Sequence, residues 1–259
     1  MNKQAIGIFD SGVGGTSIWQ ELHLLLPNES TIYLADSKHA PYGTKSKDEI
    51  IALSKKNTEL LLEKGCKLIV VACNTATTNA IQYLREHYDV PFIGIEPAIK
   101  PAALNTKTKV VGILATKGTL SSQLFHDTTD LYANGLKIIE QVGEGIVPLI
   151  EQGQINSEEM QALLTVYIKP MLTANIDHLV LGCTHYSYLI PQLLDLLPNH
   201  VKIIDSGEAV AKQTKTILSK HGLLRTIPMK PQLEFYTNGN PEVMSQLIAE
   251  NLKIDYLDF

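Results

Sequence analysis

The sequence has few of the signals that mark a membrane, secreted or nucleic-acid-binding protein. In 259 residues no apolar run approaches the roughly 20 residues needed to cross a bilayer. Lysine and arginine form no stripe in a chain of net charge −5, and non-specific nucleic-acid binding depends on such clusters. Only three cysteines occur. An odd number without tight spacing builds no disulfide framework, so a reducing, cytoplasmic setting is expected. Met1–Gln4 leads into only a few apolar residues before Asp10, which reads as a first strand and not a signal peptide. No CxxC or HExxH spacing announces zinc. The P-loop lysine and the GxGxxG spacing are missing, and no lysine stands in a context suggesting a Schiff base with pyridoxal phosphate. Neither a metal nor a cofactor is expected.

What the chain has is a sizeable apolar share, 44%, arranged in short runs that end abruptly in polar residues. Leu68–Ala72 runs straight into Cys73, Asn74 and Thr75, and a helical pattern follows from Asn79. Short β-branched runs bounded by polar residues read as buried strands, so Cys73 sits where a strand stops and a helix begins. Ligands bind at that edge of a parallel sheet. Free N–H groups at the helix start favour a thiolate there, predicting a lowered thiol pKa. His178–Gly182 repeats the scheme, ending in Cys183, Thr184 and His185, with Leu189, Leu193, Leu194 and Leu197 beyond at helical spacing. Ala5–Phe9 ends in Asp10 and Ser11 and a turn with Gly12, Gly14 and Gly15. That turn could cradle an anion on its N–H groups or need glycine for its backbone angles; both readings stand open.

Further strands are expected at Thr31–Ala35, Val90–Ile95, from Val110, at Gly135–Ile139, Val201–Ile204 and Leu233–Tyr236. Helices are expected after Ser46, whose spacing to Glu49 makes a capping box, over Ser157–Leu172, and after Pro241 as far as Leu252. Cys66 reads as a small core residue. Ile8 onward weakly resembles Ile113 onward, Cys73 pairs with Cys183 and Ile93 with Ile203, at offsets of about 105 to 110, too long for a solenoid. This predicts an α/β chain of two similar domains, each with a mostly parallel sheet, related by pseudo-two-fold symmetry. Residues 1–96 with 209–259 would form the first domain, the end of the chain folding back, and residues 97–208 the second.

Related in that way, the two cysteines would meet across the interdomain cleft. One thiolate could take a proton from a carbon while the other thiol returns one to the opposite face, inverting a stereocentre. A water-poor cleft with fixed donors would have to offset the weak acidity of a carbon next to a carboxylate. Asp10, Ser11, Asn74, Thr75, Thr184 and His185 stand where they could supply those donors and charges, Asp10 suiting an ammonium. Each also has a plainer reading: Asp10, Asn74 and Thr75 as helix caps, His185 as a satisfied, partly buried ring.

The motifs Gly7–Gly15, Pro41–Gly43, Ala72–Ala76, Gly94–Ala98, Gly112–Thr116 and Leu181–Tyr186 resemble, in order and over most of the chain, the cofactor-independent glutamate racemases of the aspartate/glutamate racemase superfamily. The resemblance implies interconversion of L- and D-glutamate, supplying D-glutamate for peptidoglycan, with Cys73 and Cys183 as acid/base catalysts. It implies Asp10, Ser11, Tyr42, Gly43, Asn74, Thr75, Thr184 and His185 as substrate-binding residues, Asp10 assisting Cys73 and His185 assisting Cys183. Glu151 matches a carboxylate near His185, and a homodimer is implied. The chain departs from the pattern at Thr16, where leucine is usual, at Ser187, where proline is common, and over Gln141–Gly145, which lacks a usual cysteine-proline pattern. Racemisation of aspartate or another amino acid, a zinc site formed by Cys73, Cys183, His185 and Asp10, and a non-catalytic anion-binding module are the competing readings.

Overall fold

The computed structural model describes residues 4–228, 230–248 and 252–259. The chain opens with β1 (Ile6–Asp10), α1 (Thr16–Leu25), β2 (Thr31–Ala35), α2 (Lys47–Glu63), β3 (Leu68–Val71), α3 (Asn74–His87) and β4 (Phe92–Gly94). It continues with α4 (Ile99–Asn105), β5 (Val110–Ala115), α5 (Lys117–Leu120), α6 (Gln123–Tyr132), β6 (Lys137–Val142), α7 (Ile146–Glu151) and α8 (Glu158–Thr173). The remainder is β7 (His178–Gly182), α9 (Ile190–Leu196), β8 (Lys202–Ile204), α10 (Gly207–Lys220), β9 (Leu233–Thr237), α11 (Pro241–Leu247) and β10 (Ile254–Tyr256). One-turn 3₁₀ segments at Ser37–His39 and Tyr42–Thr44 follow β2, and a longer one, Thr184–Leu189, follows β7.

The strands form two all-parallel sheets, ordered β10-β9-β2-β1-β3-β4 and β6-β5-β7-β8. The orders β2-β1-β3-β4 and β6-β5-β7-β8 are the same, so the weak sequence repeat is a repeat of topology. The chain's end adds β9 beside β2 and β10 beside β9. The last helix ends at Leu247, short of the expected Leu252; Ile248 is already extended, and residues 249–251 of that expectation lie outside the described residues. The strand β10 had no forecast, because three residues with only one aliphatic side chain carry no alternation to detect.

Parallel sheets bury both faces, which is why these strands are continuous apolar runs. Successive side chains point oppositely: Ile6, Ile8, Leu68 and Val70 enter the largest core, while Phe9, Ile69 and Val71 pack under α2 and α3. Val111, Ile113 and Val180 form a third core with α4 and α6. The largest core also takes Leu114, Leu181, Tyr186 and Ile150, so apolar packing runs without a break between the two sheets. The capping box at Ser46 is formed in both directions, and Ser157 caps α8 by accepting the Met160 N–H.

Candidate active site

In each sheet the chain leaves the first strand to one side and returns on the other, so neighbouring crossovers diverge at the carboxyl ends of β1/β3 and of β5/β7. Such a switch point opens a crevice. Asp10 ends β1, Cys73 follows β3 and Cys183 follows β7. Both thiols line one cavity, together with Ser11, Tyr42, Asn74 and His185. Pro41, Gly43, Thr75, Thr116 and Val147 complete its lining. Its volume is about 10 Å³, the space of about one water. The cleft is therefore closed in this conformation.

Each cysteine heads a short chain of polar groups ending in a carboxylate. Cys73 Sγ lies 3.5 Å from Ser11 Oγ, which donates to Asp10 Oδ1 at 3.3 Å. Asp10 is completely buried and also accepts the N–H groups of Ser11 at 2.7 Å and Gly15 at 2.6 Å. Thr184 reaches it from the other sheet, Oγ1 to Oδ2, at 3.3 Å. Burial raises the Asp10 pKa, with His185 and the amides of Gly15 and Ser11 opposing the rise. On the other side, Cys183 Sγ is 3.8 Å from His185 Nδ1, and His185 Nε2 is 2.6 Å from Glu151 Oε1. Burial favours the neutral imidazole, but the hydrogen bonds and charges of Cys183 and Glu151 outweigh it and push the His185 pKa well above the usual histidine range. Burial likewise opposes ionisation of Glu151, yet His185 and the Val13 N–H, which donates at 2.7 Å, hold its carboxyl below the usual range.

Four sequence expectations are corrected here. Cys73 does cap α3, accepting the Ala76 N–H at 3.4 Å, but its thiol pKa is raised well above the usual value, because burial and then the Asp10 charge outweigh the Ser11 and Ala76 hydrogen bonds. Asn74 and Thr75 are consequently not the caps. The chain after Cys183 forms the 3₁₀ turn Thr184–Leu189 before α9 begins at Ile190, with Pro191 in its first turn; Cys183 thus lacks the long helix that Cys73 caps. Finally, the glycines of the opening loop serve neither earlier reading. None of Gly12, Gly14 and Gly15 has positive φ, and the N–H groups of Ser11, Val13 and Gly15 are taken by the protein's own carboxylates. They are required for close approach instead: a Cβ on Gly12 would lie 1.9 Å from Glu151 Oε1, and one on Gly14 2.3 Å from His185 Nδ1.

Tyr42 is buried, donating to Asp36 Oδ2 at 2.5 Å and accepting from Asn57 at 3.2 Å. Gly43 lets its loop close on the second sheet, where a Cβ would lie 2.8 Å from Thr116 Cβ. Thr75 Oγ1 is 2.7 Å from Thr116 Oγ1 and 3.3 Å from that of Thr119, and the latter two are 3.1 Å apart. This threonine triangle bridges the cleft. Thr116 and Thr119 were missed in the sequence, although at the repeat offset Thr116 stands where Ser11 stands. Asn74 Nδ2 is buried without a hydrogen-bond acceptor. Among the described residues, no group of three or more His, Cys, Asp or Glu is arranged to hold a metal ion, and no helix is long and apolar enough to cross a membrane.

The signature of the Asp/Glu/Hydantoin racemase family matches residues 14–214. A glutamate racemase of Herpetosiphon aurantiacus is 46% identical over 93% of this chain and 95% of its own length. Among solved structures, a glutamate racemase isoform of Bacillus anthracis superposes with a TM-score of 0.87 at 29% identity, covering 98% of this chain and 97% of that one. The Escherichia coli glutamate racemase, solved in complex with L-glutamate and the activator UDP-MurNAc-Ala, superposes with a TM-score of 0.84 at 33% identity over 94% of each chain. A match of this extent in sequence, with two parallel sheets in the same arrangement, means that the chain belongs to the Asp/Glu/Hydantoin racemase family and is an amino-acid racemase.

Proposed function

We propose that the protein interconverts L- and D-glutamate by a two-thiol mechanism and supplies D-glutamate for peptidoglycan. The observation that carries the mechanism is that Cys73 and Cys183 line one small cavity, each backed by its own carboxylate-terminated chain. In one direction, one sulfur takes the Cα proton as a thiolate and the other gives a proton from the opposite face. In the reverse direction the roles exchange. The Cys73 thiol is held protonated by burial, which suits it to donate first. The His185 imidazolium, charged between Cys183 and Glu151, faces the other sulfur and can hold or return its proton. The unpaired Asn74 amide and the threonine hydroxyls are donors for the substrate carboxylates. Asp10 offers the ammonium a buried acceptor. A site without bulk water strengthens each of these interactions as charge develops at Cα. The glutamate bound in the E. coli relative and the name of the Herpetosiphon relative support glutamate as the substrate.

The same reading divides the chain into residues 1–96 with 209–259 and residues 97–208, with the cleft between them, and takes the working form as a cytoplasmic homodimer; light scattering tests the last point. The mechanism is tested by incubating the protein with L-glutamate in D₂O and following optical rotation and the Cα–H signal together. Rotation should decay to zero as deuterium enters Cα. Inertness toward glutamate with turnover of aspartate would replace the substrate, and inertness toward both would sink the two-thiol reading.

A further inference from the structure

Outside the groups named above, a further buried polar contact joins the opening loop to the turn after β7. Thr16, completely buried at the start of α1, donates its hydroxyl to Val13 O at 2.6 Å. Its oxygen lies 2.5 Å from Tyr188 OH. A hydroxyl has one proton, so Thr16, having given its own to Val13, accepts that of Tyr188. The backbone of Val13 is thereby held at both its polar groups: its carbonyl by the hydroxyl and N–H of Thr16 and its N–H by Glu151. Tyr188 itself belongs to the 3₁₀ turn Thr184–Leu189, three residues after His185. In a 3₁₀ turn side chains at i and i+3 eclipse, so His185 and Tyr188 face the opening loop together. The turn is tied to the opening segment through His185–Glu151–Val13, through Thr184–Asp10 and through Tyr188–Thr16. The Ser17 hydroxyl adds a weaker tie to Thr184 O at 3.3 Å.

We infer that Thr16 and Tyr188 are positioning residues for the proton relay on the Cys183 side, acting through the Val13 backbone that orients Glu151 and hence His185. Thr16 is one of the positions at which this chain departs from the family pattern, and its hydroxyl is what the contact requires. An apolar residue of similar size would fill the space, leaving the Tyr188 hydroxyl without its acceptor and the Val13 carbonyl with the Thr16 N–H alone, at 3.1 Å. The inference rests on the two-thiol reading for its effect on turnover but not for its effect on His185. Both directions of racemisation use Cys183 once, as base or as acid, so both should slow together.

The variants are Thr16→Val, Tyr188→Phe, their combination, and Thr16→Ser, which keeps the hydroxyl. For each single removal kcat should fall roughly 3- to 10-fold, the size of one lost hydrogen bond, equally for L- and D-glutamate and with KM little changed. The double variant should be no worse than the poorer single one, because both remove the same contact. Thr16→Ser should behave as the native protein. In ¹⁵N-histidine NMR titrations, with the His185 signal identified by His185→Gln, the His185 pKa should drop by about half a unit or more in Thr16→Val and Tyr188→Phe. A purely structural contact would lower the melting temperature without moving that titration. An unmoved His185 titration, or single variants keeping kcat within two-fold of the native value, overturns the inference. The titration needs no substrate, so it judges the clamp even if the native protein proves inert toward glutamate. Should Thr16→Val fail to fold, Tyr188→Phe alone decides.

Discussion

Replacing Glu151 by glutamine keeps the size of the side chain and its acceptor for the Val13 N–H, but removes the charge 2.6 Å from His185 Nε2. His185 is 1% exposed, so an imidazolium left there has no water to turn to. Removing one partner of a buried pair costs about 3–5 kcal/mol; here the ring can instead lose its proton, which limits the cost to about 3 kcal/mol. The pH dependence follows from the two shifts. The His185 pKa is raised by folding, so its contribution is complete below the ordinary imidazole value and is lost as pH rises through the folded one. The Glu151 pKa is lowered, so its contribution is complete above the ordinary carboxylate value and is lost as pH falls through the folded one. The stability difference between the native protein and Glu151→Gln should therefore be greatest from about pH 4.5 to 6.5 and shrink on the alkaline side. Urea unfolding of both proteins across pH measures it. At neutral pH kcat should also fall about 100-fold, the lower end of what a general acid–base group contributes. A stability difference that does not vary with pH, or a variant with native kcat, would refute the charged His185–Glu151 pair.

Three further outcomes are expected. Cys73→Ala and Cys183→Ala should each abolish racemisation while still binding glutamate in calorimetry; full turnover by either variant removes that thiol from the mechanism. Gly43→Ala should force Thr116 away, since the new Cβ would lie 2.8 Å from Thr116 Cβ; kcat should fall with little change in melting temperature, and a kcat equal to the native value would show that the loop need not close this tightly. Lys67→Met should destabilise by about 3–5 kcal/mol, because it leaves the Glu29 carboxylate buried, with the Arg225 N–H still donating to it at 2.6 Å, and breaks a 2.6 Å ion pair with side chains 1% and 2% exposed. Urea denaturation reads that loss, and the activity of the folded fraction should be unchanged since the pair lies far from the cleft.

Much of the site is legible in the sequence because it is local. A strand that stops at a polar residue marks its own carboxyl end, so Asp10, Cys73 and Cys183 announce their positions within a few residues of chain. The duplicated strand order follows from the same runs at nearly constant offset. Turns with fixed chemistry, the capping box at Ser46 and the Ser157 cap, are equally local. Positions that depend on what packs against them are not. In the sequence the opening glycines fit an anion-cradling turn or a turn that needs glycine angles equally well, and only the placement of Glu151 and His185 against Gly12 and Gly14 reveals that they are small to admit those side chains. Thr116 and Thr119 are ordinary hydroxyl residues until Thr75 is brought beside them.

The divide between sequence and tertiary structure follows the range of the forces. Alternation of apolar and polar residues, β-branching and capping act over a few residues, so the sequence alone determined the α/β class, the strand ends and the two thiols at matching ends. Folding decided what those ends face. The Val13–Glu151 hydrogen bond spans 138 positions, and no local pattern encodes so distant a partner. The thiol of Cys73 shows the difference most plainly. Its place at a helix start predicts a lowered pKa, yet the closed cleft raises it, because the cost of desolvating a charge depends on everything packed around it and outweighs the few N–H groups of one helix terminus.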